Sequence, residues 1–149
     1  MASSSPQPNA LSTELEVLAL RAIRVEHRDL NGLLFGGRLS CPSFALSDAK
    51  SRLGQWLPSS RTIELSRQLL VDLSWGALVE VLKHEMAHQY VDEVLGVEGE
   101  GAHGPTFRRV CVERGIDPRA VGVPRTGPDG NQHLLERVAK LLALAESPN

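Results

Sequence analysis

The sequence stretch His84-Glu85-Met86-Ala87-His88 decides the fold, together with a third histidine fifteen residues further on, in His103-Gly104-Pro105-Thr106-Phe107. Residues four apart on an α-helix lie on one face, one turn above the other, so both imidazoles of the first stretch can reach a single ion. Zinc in catalytic sites takes three protein ligands and keeps a fourth position for water. The pattern therefore predicts a zinc site on a helix that needs a third ligand from elsewhere in the chain.

The third ligand has to come from beyond the end of this helix, where Gly96 is suited to a left-handed C-terminal residue. The candidates that follow are Glu98, Glu100 and His103. We favour His103. Glu85 projects about 100° around the helix from His84, toward the flank of the metal, which is where a base that acts on water belongs.

A structural role for the two helical histidines is the alternative to a metal site. In that interpretation, His84 and His88 share a helix face with apolar residues, namely Ala77, Val81, Val91 and Leu95. Burying two imidazoles there with neither a metal nor a hydrogen-bond partner costs free energy. We therefore favour the metal site.

The residues before this stretch predict one long helix and then strands. An amphipathic helix begins at the capping box that starts with Thr13 and ends at Gly36-Gly37, and His27 falls on its apolar stripe, where we expect a hydrogen-bonded boundary residue. Three segments with strand character follow and predict a small antiparallel sheet: Ser43 to Ser47, Leu53 to Leu57 and Thr62 to Ser66.

The residues around and after the histidines predict two further helices. Ser74 is positioned to cap the helix of the motif, which is expected to run to about Leu95. Gly104-Pro105 begins the next helix, Gly115 ends it, and Phe107 belongs to its buried side. The fold class is therefore α+β, a small antiparallel sheet of about three strands packed on helices that include the one with the motif.

Composition and charge limit the partners and the compartment. A net charge of −2 argues against strong nonspecific binding of nucleic acid by the whole surface. Five arginines follow the third histidine, and for them we favour a solvated helix face over a DNA-facing patch: Arg108, Arg109, Arg114, Arg119 and Arg125. Cys41 and Cys111 form no disulfide framework or metal motif. The chain shows no secretory signal and no membrane-spanning run, so we expect a cytoplasmic protein.

These residues also carry a family resemblance. The motif H-E-M-x-H with a third histidine in H-G-P-x-F resembles the SprT-like metallopeptidases of the Spartan type. The upstream stretches are similar to that family as well: Asn31 and Phe35 in L-N-G-L-L-F-G-G-R-L, Ser51-Arg52-Leu53-Gly54, and Arg61 to Ser66. The resemblance covers roughly Leu11 to Arg119 and implies a zincin-like minimal metalloprotease core.

The resemblance implies an activity and assigns residues to it. His84, His88 and His103 would be the zinc ligands and Glu85 the catalytic acid and base of a zinc-dependent endopeptidase. Its substrates would be proteins or peptides, including proteins bound or crosslinked to DNA, which suggests a role in DNA repair. Relatives often carry a four-cysteine zinc ribbon that this chain lacks, so we expect only weak or indirect DNA association. The alternative function is a non-catalytic, zinc-stabilised module that binds DNA or protein.

The sequence also predicts how the chain is divided. The predicted segments are a disordered N-terminus at 1–10, the SprT-like metalloprotease domain at 11–121, a linker at 122–131 and a C-terminal helix at 132–149. Residues Leu135 to Glu146 resemble the opening helix of the bacterial family called domain of unknown function 2786. The last segment is therefore a candidate for the start of a second, truncated domain. Arg52 and Arg61 are candidates for stabilising an oxyanion.

Overall fold

The computed structural model describes residues 13–119 of the chain. Its elements in chain order are α1 (Thr13–Phe35), β1 (Ser43–Ser47), β2 (Gly54–Leu57), β3 (Thr62–Ser66), α2 (Gln68–Val71), α3 (Trp75–Tyr90), a π-helix (Val91–Leu95) and α4 (Pro105–Glu113). The predicted segments at 1–10, 122–131 and 132–149 lie outside the described residues. Within residues 13–119, the helices are all too short or too polar to cross a membrane.

The three strands form one sheet in the order β1-β3-β2, and the sheet is mixed. β2 and β3 form an antiparallel pair from Gly54↔Leu65 to Leu57↔Thr62. β1 pairs with β3 in parallel, so the prediction of an antiparallel sheet is wrong for this pair. Residues 48–53 lead from β1 to β2 and leave a gap between them that β3 fills. The short connection from β2 to β3, residues 58–61, makes these two strands antiparallel. A small sheet of three strands packed on helices is otherwise as predicted.

α3 is the central helix and contacts α1, α2, α4, β2, β3 and the π-helix. It is buried on nearly every side, and its buried residues are Trp75, Ala77, Leu78, Leu82, His84, Glu85, Met86, Ala87, Gln89 and Tyr90. Leu82 joins Ile23 of α1 and Ile63 of β3 in the apolar core, with none of the three exposed. Buried polar groups need hydrogen-bond partners inside the protein. The buried polar residues of α3 are His84, Glu85 and Gln89, so α3 must meet other polar groups at these three positions.

Both predicted ends of the central helix are confirmed, but its last turn differs from the prediction. The Ser74 hydroxyl accepts a hydrogen bond from the Ala77 main-chain N–H at 3.0 Å. The sequence predicts one α-helix to about Leu95, whereas the structure changes to a π-helix at Val91 and ends at Gly96, which is left-handed with φ 61°. The wider turn brings the Asp92 carboxylate to 3.1 Å from the Trp56 indole nitrogen, which donates to it.

A second polar contact holds the π-helix against the sheet. The Glu93 carboxylate accepts hydrogen bonds from the Ser40 main-chain N–H and from the Arg61 guanidinium. Arg61 has a left-handed backbone with φ 50°, the one non-glycine residue with positive φ within 13–119. Arg61 is thus engaged in fixing the π-helix and is not among the residues that line the cleft described below.

A buried polar contact joins α1 to α3. His27 is only 2% exposed, and its Nε2–H donates to Gln89 Oε1 at 3.0 Å. Gln89 Nε2 in turn donates to the Ser40 carbonyl at 2.9 Å. Burial lowers the pKa of His27, so the imidazole is neutral at pH 7. His27 is therefore hydrogen-bonded as expected, but it lies inside the core and not at its boundary.

We expect Gln89→Leu to lower the free energy of unfolding by about 1–3 kcal/mol, because it leaves the buried His27 N–H without an acceptor. The measurement is urea unfolding followed by circular dichroism. The matched double variant His27→Leu/Gln89→Leu removes both members of this pair and should recover the part of the loss that comes from the His27 N–H, while the Ser40 carbonyl lacks its Gln89 donor in both variants. Equal stability of the single and double variants would contradict the account of this pair.

Candidate metal centre

Three histidine side chains converge at one end of α3. His84 and His88 lie one turn apart on α3, and His103 lies in the loop before α4. One ring nitrogen from each falls within 4.8 Å of the other two, and the Nε2 atoms of His84 and His103 are 3.2 Å apart. Nitrogens about 3.3 Å apart are what a tetrahedral ion with bonds of about 2.0–2.1 Å requires. The three imidazoles therefore form a group that could hold a metal ion.

The loop before α4 is folded by Glu100, which is one of the alternative third ligands. Its carboxylate accepts hydrogen bonds from the Thr106 hydroxyl at 3.0 Å and from the Thr106 main-chain N–H at 3.3 Å. Gly104 leaves room for the turn itself, since a Cβ there would lie 3.0 Å from the Gly101 carbonyl oxygen and 3.1 Å from Glu100 Cβ. Glu100 thus closes the N-terminal end of α4. Within residues 13–119, neither Glu98 nor Glu100 joins the metal-binding group.

The histidines of α3 are held in the neutral form. Burial, together with the neighbouring imidazoles of His84 and His103, lowers the pKa of His88 to about 3. Burial also lowers the pKa of His84. His84 Nδ1 lies 3.4 Å from the Asp117 carbonyl oxygen, which favours the tautomer with hydrogen on Nδ1 and leaves the Nε2 lone pair free. Neutral imidazoles with free lone pairs are the state that a divalent metal needs.

Phe107 of α4 forms the apolar wall of the group. Its ring stacks on His88 at a centroid distance of 4.1 Å and meets His84 and His103 edge to face at 5.0 and 5.1 Å. Only 1% of Phe107 is exposed, which confirms the predicted buried side of α4. The ring fixes the orientation of all three imidazoles and keeps water from one side of the group.

Glu85 lies beside the histidines, against the main chain of β2. It is 6% exposed, and its carboxylate accepts a hydrogen bond from the Trp56 main-chain N–H. Burial raises the pKa of Glu85 to about 7, although the Trp56 N–H and the positive charge of Arg52 act in the opposite direction. A carboxyl group with a pKa near neutrality can both accept and donate a proton at neutral pH.

An open cleft of about 880 Å³ contains the histidines and Glu85. One wall is β2 with Gly54, Gln55 and Trp56, and the opposite wall includes Gly101 and Asp117. Within residues 13–119, no other strand pairs with the edge of β2 that faces away from β3. The cleft thus combines a polar centre with an unpaired strand edge, where the Trp56 N–H is engaged by Glu85 and the other main-chain groups can pair with an extended chain.

The arginines that follow the third histidine do not share one environment. Arg108 and Arg109 are exposed, as a solvated helix face predicts. Arg114 is not on that face: its Nε donates to the Leu34 carbonyl at 2.8 Å, and its guanidinium lies over the Tyr90 ring at 4.5 Å. Arg119 pairs with Asp117 at 3.0 Å, and Arg125 lies outside the described residues. The solvated-face prediction is therefore wrong for Arg114, because cation–π and carbonyl contacts hold it against α1.

Sequence reasoning did not find the roles of Gly54 and Asp117. Gly54 leaves space for the Glu85 side chain, since a Cβ at 54 would lie 3.1 Å from Glu85 Cγ, and a lone glycine inside a predicted strand is a signal for close approach of another group. Asp117 acts through its main-chain carbonyl, which no sequence pattern reports. Both contacts depend on how distant segments pack.

The comparison with known families agrees with this geometry. The model of the SprT-like family matches residues 25–119, which is more than half of the chain. The chain therefore belongs to the SprT-like family, whose domains are metallopeptidase-like. The matched segment contains Glu85 and all three histidines. No curated protein matches this sequence.

We expect Glu100→Ala to lower the free energy of unfolding by about 1 kcal/mol, because α4 loses the acceptor of its first-turn N–H. Metal binding should persist, since Glu100 lies outside the histidine group. Urea unfolding and a zinc titration measure the two effects, and Glu98→Ala serves as the control that changes neither. Loss of zinc binding at unchanged stability would instead identify Glu100 as a ligand.

Proposed function

We propose that the protein is a zinc-dependent endopeptidase in which His84, His88 and His103 are the zinc ligands and Glu85 transfers the proton. The observation that carries this proposal is the buried Glu85 carboxyl beside three converging imidazoles in a cleft bounded by an unpaired strand edge. Membership of a metallopeptidase-like family supports the same reaction class.

The donor set supports zinc in a catalytic and not a structural role. Imidazole nitrogens suit zinc, and structural zinc sites are closed by four protein ligands. Within residues 13–119, the group contains three histidines and no fourth histidine, cysteine or carboxylate. Cys111 is buried as a free thiol outside the group. An open coordination position next to a carboxyl group is the arrangement that hydrolysis needs and that a structural site does not.

The residues of this chain perform the proton transfers and orient the substrate. Zinc, when bound, lowers the pKa of a water toward neutrality and polarises a carbonyl. Glu85 accepts the proton of the attacking water and later delivers it to the leaving amine as the peptide bond breaks. The Trp56 N–H holds the carboxylate in place. A substrate in extended conformation would pair with the free edge of β2, which selects for main chain and suits broad specificity.

Proteins bound or crosslinked to DNA are the substrates that we propose, on the basis of the resemblance to Spartan-type relatives. The charge of the chain argues for weak DNA binding by this domain. Net charge is −2, and of the four arginines at 108–119 two are held in intramolecular contacts. We propose an affinity of roughly 10⁻⁴ to 10⁻⁶ M at physiological salt, falling as salt rises.

We expect about one zinc per chain in the wild-type protein, and loss of tight zinc binding in His84→Ala, His88→Ala and His103→Ala, because two imidazoles cannot complete the site. Elemental analysis after dialysis measures the zinc content, and circular dichroism checks that each variant is folded. Full zinc in His103→Ala would contradict the assignment of the third ligand.

We expect Glu85→Gln to retain zinc and to lose peptide hydrolysis by about 10²- to 10⁴-fold, because the amide cannot accept the proton. The assay is cleavage of casein and of histones, with and without single-stranded DNA. Glu113→Gln is the control, since Glu113 is an exposed glutamate of α4 that does not line the cleft. Activity near wild type in Glu85→Gln would end the proposed mechanism.

A further inference from the structure

Gly54 makes the closest packing contact of any glycine within residues 13–119. A Cβ at this position would lie 2.6 Å from Val81 Cγ1, 3.1 Å from Glu85 Cγ and 3.2 Å from Glu85 Oε2. Carbon atoms that do not share a bond pack at about 3.5–4.0 Å, so no side chain fits here without displacing a neighbour. Gly54 is not among the glycines with positive φ. Space, and not backbone conformation, therefore requires glycine at this position.

The main chain of β2 is oriented so that its free edge meets Glu85. The Leu53 carbonyl accepts from Ser66 N and so faces β3. Main-chain direction alternates along a strand, which turns the polar groups of Gly54 and Trp56 away from β3. The Trp56 N–H on this side donates to the Glu85 carboxylate. The Glu85 side chain thus packs against Gly54, and its carboxylate accepts the hydrogen bond of the Trp56 main-chain N–H.

The contacts of β2 with the central helix fall along one stripe. Gly54 meets Val81 and Glu85, and the Trp56 indole donates to Asp92 of the π-helix at 3.1 Å. Positions four and seven residues apart lie on the same side of a helix. β2 therefore contacts this stripe on both sides of Glu85. Gly54 sets the distance between β2 and α3, because its main chain packs against the side chains of Val81 and Glu85 with no side chain of its own in between.

We propose that Gly54 is a positioning residue for Glu85: its missing side chain lets the carboxylate lie against β2, within reach of the Trp56 N–H and in the cleft that contains the three histidines. This inference rests on the proposed function for its catalytic consequence. The position of the Glu85 carboxylate against β2 can be measured without any reaction.

A methyl group at position 54 would act on two neighbours, and the two effects can be separated. The clash with Val81 concerns packing, and Val81→Ala removes the Cγ1 atom responsible. The contacts with Glu85 remain in Gly54→Ala/Val81→Ala, where they are closer than ordinary contact by a few tenths of an ångström. The double variant therefore displaces Glu85 while relieving the strain on the core.

The first measurement is hydrogen exchange of the Trp56 amide in the full chain, by nuclear magnetic resonance. We expect exchange to accelerate about tenfold in Gly54→Ala/Val81→Ala relative to Val81→Ala, because the hydrogen bond to the displaced carboxylate is weakened. In a Glu85→Ala background, the same substitution at 54 should have little further effect. Gly32→Ala is the control for a glycine-to-alanine change, since a Cβ at Gly32 meets nothing within 4 Å.

The second measurement is steady-state peptide hydrolysis with zinc content determined on the same samples. We expect kcat to fall about tenfold in Gly54→Ala/Val81→Ala, with KM and zinc content within about twofold of Val81→Ala, because a small misplacement of a proton-transferring group slows the chemical step. A fall in zinc content or a rise in KM with unchanged kcat would overturn the inference and point to a general packing role.

The two proposals fail in different ways. The positioning of Glu85 by Gly54 is contradicted, whatever the activity, by either of two results. One is unchanged hydrogen exchange of the Trp56 amide in the double variant, and the other is an equal acceleration of that exchange in the Glu85→Ala background. If the wild type hydrolyses no peptide but Trp56 amide exchange is tenfold faster in the double variant, the proposed function and the catalytic consequence are contradicted. The positioning of Glu85 by Gly54 is then still supported.

Discussion

The packing of β2 along one stripe of α3 is the constraint on which the rest of the site depends. α3 is buried on nearly every side, so its polar residues can exist there only where another element supplies partners. β2 supplies the Trp56 N–H to Glu85 and the Trp56 indole to Asp92. With this side of α3 occupied by the sheet, His84 and His88 are left on the side that meets α4 and the loop carrying His103.

Burial shifts the pKa of the carboxyl group and of the imidazoles of this centre in opposite directions. It lowers the pKa of His84 and His88 and raises that of Glu85, because a low-dielectric surrounding disfavours every charged form. A cation that enters the group therefore meets uncharged imidazoles on α3. Phe107 stacks on His88 and preserves this environment. The same apolar packing that stabilises the fold thus prepares the donor set.

Local features of the fold could be predicted from the sequence, and long-range packing could not. Strands β1 and β3 have the predicted limits, and the Ser74 cap and left-handed Gly96 are in place, because each depends on a few adjacent residues. The histidine spacing likewise follows from helix periodicity. The parallel pairing of β1 with β3, the π-helix after Tyr90 and the inward position of Arg114 arise from contacts between distant segments. Side-chain periodicity gives strand faces but does not say which strands are neighbours.

The central claim is that three histidines hold an open zinc position beside Glu85, and a crystal structure of the zinc-loaded protein with anomalous data at the zinc edge tests it most directly. The account predicts one peak at about 2.0–2.1 Å from a nitrogen of each of His84, His88 and His103, with a non-protein fourth ligand on the side of Glu85. A fourth protein ligand that closes the site, or a peak away from these histidines, would contradict it.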